Sequence, residues 1–236
     1  MDGGDEASSS VPENLKSRLR DSYDAIAEKY TSWSTKGAAI RLSYLDRLLG
    51  LLSPSHRDIL EVGCGAGIPT TEKLLAHDPQ FRITANDLSS AQIELGKKRL
   101  ALVCSGDADR VTWVEGDMMS LKFPGVAFDV VLGFYCIQHL PRDEQVDMIR
   151  KVSAWLKPGG YMLFNYPAEE NENVVMTGWM GQKGWVYHSG WDADKYRQLL
   201  REAGLELVLD EVKQDNVKAE FLWVIAKRPE AGISVS

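Results

Sequence analysis

The chain has 236 residues, of which 44% are hydrophobic and 26% are charged, and its formal net charge is −7. This length suits one α/β domain with extensions. An acidic surface repels phosphate backbones, so we expect no nucleic-acid partner. No apolar run approaches the roughly eighteen residues of a membrane span, and residues 1–10 lack the apolar segment of a signal peptide. We therefore expect a cytoplasmic protein that does not bind membranes, either a monomer or a homodimer.

The three cysteines, Cys64, Cys104 and Cys136, are far apart along the chain. They form no C-x-x-C pair, which argues against both a zinc site and a disulfide framework. We expect reduced thiols and no bound metal.

The first 55 residues predict a tail and two helices. Residues 1–12 are rich in serine, glycine and acidic residues, and we expect them to be disordered. Ser10 and Glu13 have the spacing of a capping box that opens a helix. Apolar residues at helical spacing then predict this helix and a second one, which ends near Pro54.

From residue 58 onward, apolar strands alternate with amphipathic helices. Such alternation indicates a parallel, doubly wound sheet, and the last two strands, joined by a short turn, would pair antiparallel. The predicted strands are 58–62, 82–86, 111–115, 128–134, 161–165, 206–212 and 220–226, and the helices between them are 70–77, 89–103, 142–156 and 193–203. The fold class is therefore α/β: a Rossmann-like, mostly parallel, seven-stranded sheet with an antiparallel C-terminal strand pair and N-terminal helices.

The expected organisation is one domain over residues 13–228. Within it, residues 13–54 would form a helical cap and residues 167–191 an insertion between the fifth strand and the last helix. Residues 229–236 would form a C-terminal tail.

A glycine-rich turn follows the first strand of this sheet, with Gly63, Gly65 and Gly67 in G-x-G-x-G order. Glycines let the backbone approach a ligand closely and adopt positive φ. The spacing departs from the dinucleotide fingerprint G-x-G-x-x-G, and Pro69 removes one N–H donor where a pyrophosphate would bind. Asp87 ends the next strand, where an acid in a βαβ unit can reach a ribose hydroxyl.

Glu61 and the three glycines resemble the first motif of class I S-adenosylmethionine (SAM)-dependent methyltransferases. The resemblance covers roughly residues 20–227 and includes Asp117 just past the third strand. It also includes the run Phe-Asp-Val-Val-Leu-Gly-Phe-Tyr-Cys-Ile-Gln-His-Leu at 128–140 and the turn Trp-Leu-Lys-Pro-Gly-Gly before the fifth strand. It implies a small-molecule methyltransferase that uses SAM and releases S-adenosylhomocysteine (SAH).

The resemblance also implies a cofactor site. Asp117 would accept from the adenine amino group with Met118 packed on the ring, and Glu61 would lie near the amino-acid part. Tyr23 and Tyr30 resemble a tyrosine-bearing segment that folds over the cofactor in many relatives, although both also suit a plain core. The residues expected to bind the cofactor are Tyr23, Tyr30, Glu61, Gly63, Cys64, Gly65, Asp87, Leu88, Asp117, Met118 and Phe134.

The substrate is expected beneath the aromatic-rich insertion at 167–191, where the family commonly places a substrate lid. A loop this long and aromatic is uncommon without a function, and an apolar pocket suits a small organic molecule. A minor core or a dimer contact is the alternative for this segment. The residues expected to contact substrate are Trp33, Tyr135, Trp179, Trp185, Tyr187 and Trp191.

Two histidines are candidates for the catalytic base. His139 follows the fourth strand and His188 lies in the aromatic insertion, and either imidazole could take a proton near pH 7. A lone histidine is often structural, and the sequence does not show whether the two meet in space.

The favoured function is methyl transfer from SAM to an oxygen or nitrogen of a small, rather apolar organic molecule, such as a product of secondary metabolism. The acidic charge and the lack of an Asn/Asp-Pro-Pro-Tyr motif after the fourth strand argue against a macromolecular substrate, and the lack of paired acids there argues against a metal-dependent catechol type. An alternative stays open: a SAM-binding protein without methyl transfer, either regulatory or a catalyst of elimination or cyclisation.

Overall fold

The computed structural model describes residues 5–7, 10–103, 108–215 and 219–230. The strands in them are β1 (Asp5–Ala7), β2 (Asp58–Val62), β3 (Arg82–Asp87), β4 (Val111–Glu115), β5 (Phe128–Gly133), β6 (Leu156–Pro167), β7 (Asn171–Thr177), β8 (Trp185–Gly190), β9 (Glu206–Gln214) and β10 (Glu220–Lys227). The helices are α1 (Leu15–Lys36), α2 (Ala39–Leu49), α3 (Thr70–His77), α4 (Ser90–Val103), α5 (Arg142–Trp155) and α6 (Ala193–Glu202).

The main sheet has seven strands in the order β4-β3-β2-β5-β6-β10-β9. Strands β4, β3, β2, β5 and β6 are parallel, whereas β10 runs antiparallel to both of its neighbours. The predicted fold class is therefore confirmed. The chain order reverses between β2 and β5, and in open α/β sheets ligands bind at such a switch point, beyond the carboxyl ends of the strands.

Helices cover both faces of the sheet, which explains why β5 is buried along its whole length. On one face α5 and α6 pack through residues such as Met148, Val152 and Leu200. On the other face α2, α3 and α4 pack through residues such as Leu45, Leu74 and Ile93. The core on both sides fixes the strand ends at the switch point.

The N-terminal expectations need two corrections. Helix α1 begins at Leu15, with Asn14 as its N-cap residue at φ 58° and without a side-chain cap, so Ser10 does not open it. In the segment 1–12, expected to be disordered, β1 pairs antiparallel with β7, while residues 1–4, 8 and 9 lie outside the described part of the chain.

The insertion at 167–191 is also not the loop that its aromatic composition suggested. Strands β7 and β8 form an antiparallel hairpin in which Val175 faces Tyr187, and with β1 they make a separate three-stranded sheet. The β-branched and aromatic residues in Val-Val-Met at 174–176 and Trp-Val-Tyr at 185–187 favour strands. The predicted domain boundaries stay predictions.

In the chain as described, no helix combines the length and apolar character that crossing a membrane requires.

Candidate active site

The glycine-rich turn after β2 lies at the switch point of the sheet. Gly63, Gly65 and Gly67 all have positive φ, between 55° and 67°. A Cβ on Gly63 would lie 2.5 Å from the Cβ of Cys136, so a side chain is excluded by space as well as by conformation. The Gly65 N–H donates to Asp87 Oδ2 at 2.7 Å, which fixes the turn against the end of β3.

Two adjoining cavities open beside this turn and share Tyr30, Gly63, Gly65 and Phe134. The larger extends from the turn to α1 and Asp117, and the smaller extends to Glu61 and Arg41. Of the eleven residues expected to bind the cofactor, nine line the larger cavity: Tyr23, Tyr30, Gly63, Gly65, Asp87, Leu88, Asp117, Met118 and Phe134. Glu61 and Cys64 line the smaller one.

Asp87 is held in place by backbone donors. In addition to the Gly65 bond, its Oδ1 accepts from the Ser89 N–H at 2.8 Å. Burial nevertheless raises the pKa of Asp87 to about 6, because these donors only partly offset the loss of water. An incoming hydroxyl donor or cation would therefore favour the ionised carboxylate.

Asp117 caps the short helical turn Met118–Ser120, accepting from the Met119 N–H at 3.0 Å. Lys16 of α1 lies 3.6 Å from the same carboxylate and pairs with Glu144 at 2.5 Å. Asp117 thus has a structural role as well as its place in the cavity wall.

The smaller cavity contains a carboxyl group and a guanidinium group, from Glu61 and Arg41. Glu61 is almost fully buried and accepts from Thr71 Oγ1 at 2.5 Å, and burial raises its pKa to about 7. Arg41 of α2 is also buried, and its Nη2 donates to the Ser34 carbonyl at 2.5 Å. A zwitterionic amino acid, with its ammonium and carboxylate, matches this pair in charge.

Helix α1 contributes residues to the walls of both cavities. Polar contacts along its length hold it in place. The Ser22 hydroxyl accepts from the Trp185 N–H of β8 at 2.7 Å. Asp24 accepts from Ser89 Oγ at 2.6 Å, and Thr31 donates to Gln92 at 3.0 Å. The helix is therefore tied to the hairpin and to α4.

The tertiary structure brings the two candidate histidines together, with ring centroids 5.2 Å apart in a stacked arrangement. His139 Nδ1 lies 2.8 Å from the Tyr187 carbonyl, which can only accept, so Nδ1 carries the proton. Nε2 then accepts from the Tyr23 hydroxyl, 2.9 Å away. Burial lowers the pKa of His139 to about 3 and that of His188 to about 4, which keeps both neutral at pH 7.

An aromatic cluster of Tyr23, Tyr30, Trp33 and Trp179 lies beside the larger cavity. Trp179, from the turn between β7 and β8, has its ring centroid 5.7 Å from Tyr30 and 6.2 Å from Trp33. Trp33 is 45% exposed, so the cluster reaches the surface. Lys29 of α1 donates to the Met180 carbonyl at 2.6 Å and holds the turn.

Three of the expected substrate contacts are corrected by the structure. Trp185 is buried under Arg18 with Leu15 and Leu19. The Tyr187 side chain is fully buried and its hydroxyl donates to Asn173 Oδ1 at 2.8 Å, and Trp191 stacks under Arg142. Strand alternation turns the rings of Trp185 and Tyr187 inward, whereas Trp191 follows the end of β8 and is partly buried against the core.

Tyr135, in contrast, does line the larger cavity. It has φ 53°, unusual for a residue with a side chain, and its N–H donates to Asn165 Oδ1 at 2.7 Å. The sequence reasoning missed Lys16, Gln92 and Arg41, whose long polar side chains gave no motif signal. Among the described residues, no group of three or more potential ligands is placed to hold a metal ion.

Comparison with known proteins decides the family. A family profile described as a methyltransferase domain matches residues 59–160. The 27-O-demethylrifamycin SV methyltransferase of Amycolatopsis mediterranei is 32% identical over 201 residues, or 82% of this chain and 67% of that protein. The chain belongs to the SAM-dependent methyltransferases.

As a member of this family the protein is an enzyme and its cofactor is SAM, which confirms the predicted family and cofactor. The chain spans about two thirds of the rifamycin methyltransferase, but less than half of several other relatives that it matches.

Two solved structures share the methyltransferase fold over nearly the whole chain. The Burkholderia thailandensis 1,6-didemethyltoxoflavin-N1-methyltransferase, with bound 1,6-didemethyltoxoflavin and SAH, has a TM-score of 0.70 at 20% identity, covering 95% of this chain and 93% of that one. The [4+2]-cyclase SpnF has a TM-score of 0.68 at 18% identity, covering 96% and 100%.

Proposed function

We propose that the protein transfers the SAM methyl group to an oxygen or nitrogen of a small, rather apolar organic molecule. The observation that carries this proposal is the Tyr23 hydroxyl bonded to His139 Nε2 in the wall of the larger cavity. The rifamycin and toxoflavin methyltransferases act on oxygen and on nitrogen of small molecules, as their names state, and the acidic charge of the chain argues against a nucleic-acid substrate.

The charged, polar and apolar residues that line the two cavities suit the parts of SAM. Arg41 and Glu61 would hold the carboxylate and ammonium of the amino-acid part, in the smaller cavity. The Asp87 carboxylate would accept from ribose hydroxyls, and Leu88 and Met118 would pack against the adenine. The bare backbone at Gly63 and Gly65 leaves room for the cofactor between these groups. When bound, SAM supplies an electrophilic methyl on a positively charged sulfur.

Tyr23 and His139 would remove the acceptor's proton. A hydroxyl placed against the Tyr23 oxygen could donate to it while Tyr23 donates to His139 Nε2. The acceptor proton becomes more acidic as its oxygen or nitrogen bonds to the methyl, so even a weak base such as His139 suffices. The remaining task of the chain is to orient the acceptor and exclude water.

We infer that the acceptor enters beside the aromatic cluster of Tyr23, Tyr30, Trp33 and Trp179. Rings at mutual distances of 5–6 Å offer flat apolar faces that suit a planar organic molecule. Lining residues such as Met118, Phe134 and Leu140 add apolar surface. The β7–β8 hairpin would act as the substrate lid.

The test begins with calorimetric titration of SAM and SAH, and continues with mass-spectrometric detection of SAH during incubation with phenols, carboxylic acids and amines. SAM-dependent methylation of one class, lost in His139→Gln while SAH still binds, supports the proposal. Binding of SAM with no SAH formed from any acceptor would favour the alternative, a SAM-binding protein that does not transfer methyl. SpnF, which has the same fold, is described as a [4+2]-cyclase.

A further inference from the structure

Gln145 is a fully buried polar residue in the first turn of α5, and it does not line the larger cavity. Its Nε2 donates to the Leu140 carbonyl at 2.7 Å and to the Ser189 carbonyl at 2.8 Å. Leu140 directly follows His139, and Ser189 directly follows His188. One amide group therefore connects the backbones of the two segments that carry the histidines.

The orientation of this amide is fixed by its partners. Carbonyl oxygens only accept, so the NH₂ group must face Leu140 and Ser189. The Oε1 on the other side accepts from the Tyr196 hydroxyl of α6 at 2.5 Å. Tyr196 is itself fully buried and its oxygen also accepts from the Trp191 N–H at 3.2 Å.

Both donors of Gln145 and its acceptor are thus satisfied, in a region without access to water. Leaving a buried polar group unpaired costs about 1–3 kcal/mol, so the arrangement is strongly favoured over alternatives with one bond broken. Helices α5 and α6 belong to the packed core, which makes them a rigid support for the two segments.

We propose that Gln145, oriented by Tyr196, is a positioning residue that holds His139 and His188 in their stacked arrangement and keeps His139 Nδ1 on the Tyr187 carbonyl. The Tyr187 carbonyl lies two residues before Ser189 on β8, so a shift of β8 away from the helical turn of His139 would lengthen that bond. With Nδ1–H fixed, the Nε2 lone pair stays directed at Tyr23. The inference rests on the function proposed for His139.

The test reads the imidazole directly and needs no acceptor. Long-range ¹H–¹⁵N correlation spectra of histidine-labelled protein report which nitrogen carries the proton, and the chain has only four histidines. His56 and His77 serve as internal references. The groups that face His139 are Tyr23 and Lys16 of α1 and His188 of β8, and they are unchanged in every variant.

In wild-type protein we expect His139 as a single Nδ1–H tautomer. Gln145→Met should give a mixture of tautomers for His139, and Tyr196→Phe a smaller effect, because the amide then keeps both carbonyl partners. Gln138→Met is the matched control: Gln138 is buried next to His139, and its Oε1 has no partner in the described residues. This control should keep the single tautomer.

With an acceptor in hand, Gln145→Met should lower kcat about tenfold and leave KM for SAM within about twofold, since the geometry of the base and not the cofactor site is disturbed. A single Nδ1–H tautomer in folded Gln145→Met would overturn the proposal. Unfolding of both variants would also overturn it, because the pair would then support the fold and not the histidines. If no acceptor is methylated but the tautomer changes, the positioning role stands and the proposed function fails.

Discussion

The Tyr23 hydroxyl and His139 Nε2 lie 2.9 Å apart although 116 positions separate the two residues. Tyr23 comes from the helix that covers the cavity, and His139 from the turn after the central strand β5. Any displacement of α1 therefore changes the environment of the imidazole. Access to the cavity and the ability to accept a proton are linked through this one bond.

Removing either partner should slow methyl transfer without abolishing cofactor binding. We expect His139→Gln to lower kcat by about 100-fold or more, the usual contribution of a general base. Tyr23→Phe should cost roughly tenfold, about the value of one hydrogen bond. The measurement is SAH production with the methylated acceptor, with His77→Gln as a control distant from the cavity. Equal rates for wild type and His139→Gln would remove the histidine from the mechanism.

Cofactor affinity should depend on pH through Asp87. Its pKa of about 6 lies above the ordinary range because of burial, and the ionised form is the better acceptor for ribose hydroxyls. SAH binding should therefore weaken as pH falls from 7 to 5. Asp87→Asn should weaken SAH binding about tenfold or more at pH 7, the scale of a hydrogen bond to a charged group.

The Asp87→Asn variant should show a smaller pH dependence, and the part that remains is expected from Glu61, whose pKa burial raises to about 7. Calorimetric titrations of SAH at three pH values test both points, with Asp78→Asn, a partly exposed residue that lines neither cavity, as the control. A pH dependence as large in Asp87→Asn as in wild type would assign it to a group other than Asp87.

Arg41 should recognise the amino-acid part of the cofactor. We expect Arg41→Met to weaken SAH binding about tenfold or more. Binding of 5′-methylthioadenosine, which lacks the carboxylate and ammonium, should change by less than about twofold. Comparison of the two ligands by calorimetry separates this role from general damage to the site. Equal losses for both ligands would contradict it.

Buried neutral histidines should make the fold sensitive to acid. In the folded state the pKa of His139 is lowered to about 3 by burial, so between pH 3 and about 6.5 the unfolded chain binds more protons. Stability from this source is present at neutral pH and is lost as pH falls through that window.

His139→Gln should therefore lose less stability than wild type between pH 6.5 and 4, by at least ~1 kcal/mol or about 2–4 °C in Tm. Thermal melts followed by circular dichroism give the two slopes. The raised pKa values of Asp87 and Glu61 act in the opposite direction over part of this range, but equally in both proteins. Parallel slopes would show that His139 titrates normally.

Trp179 should affect binding of the acceptor and not binding of the cofactor. It contacts Tyr23, Tyr30 and Trp33 from the β7–β8 turn. We expect Trp179→Ala to raise KM for the acceptor about tenfold while the Kd for SAH changes by less than about twofold. Steady-state kinetics and calorimetry test this, with the exposed Gln182→Ala on the same turn as the control. An unchanged KM for the acceptor would show that the aromatic cluster does not contact the acceptor.

Local sequence determined the sheet and the glycine turn. The strand from Val111 to Glu115 and the helix from Thr70 to His77 match their predicted limits, because apolar periodicity and breakers act over a few residues. Gly63 and Asp87 were identified for the same reason: turn chemistry and the end of a strand are local signals.

Tertiary structure alone decided what meets in the cavity. Helix α1 places Tyr23 on His139, and the amide of Gln145 joins two segments 44 and 5 residues away. The hairpin of β7 and β8 turns Trp185 and Tyr187 inward but leaves Trp179 at the surface cluster. These contacts depend on how separate elements pack, and composition does not encode which face of a strand or helix a partner will cover.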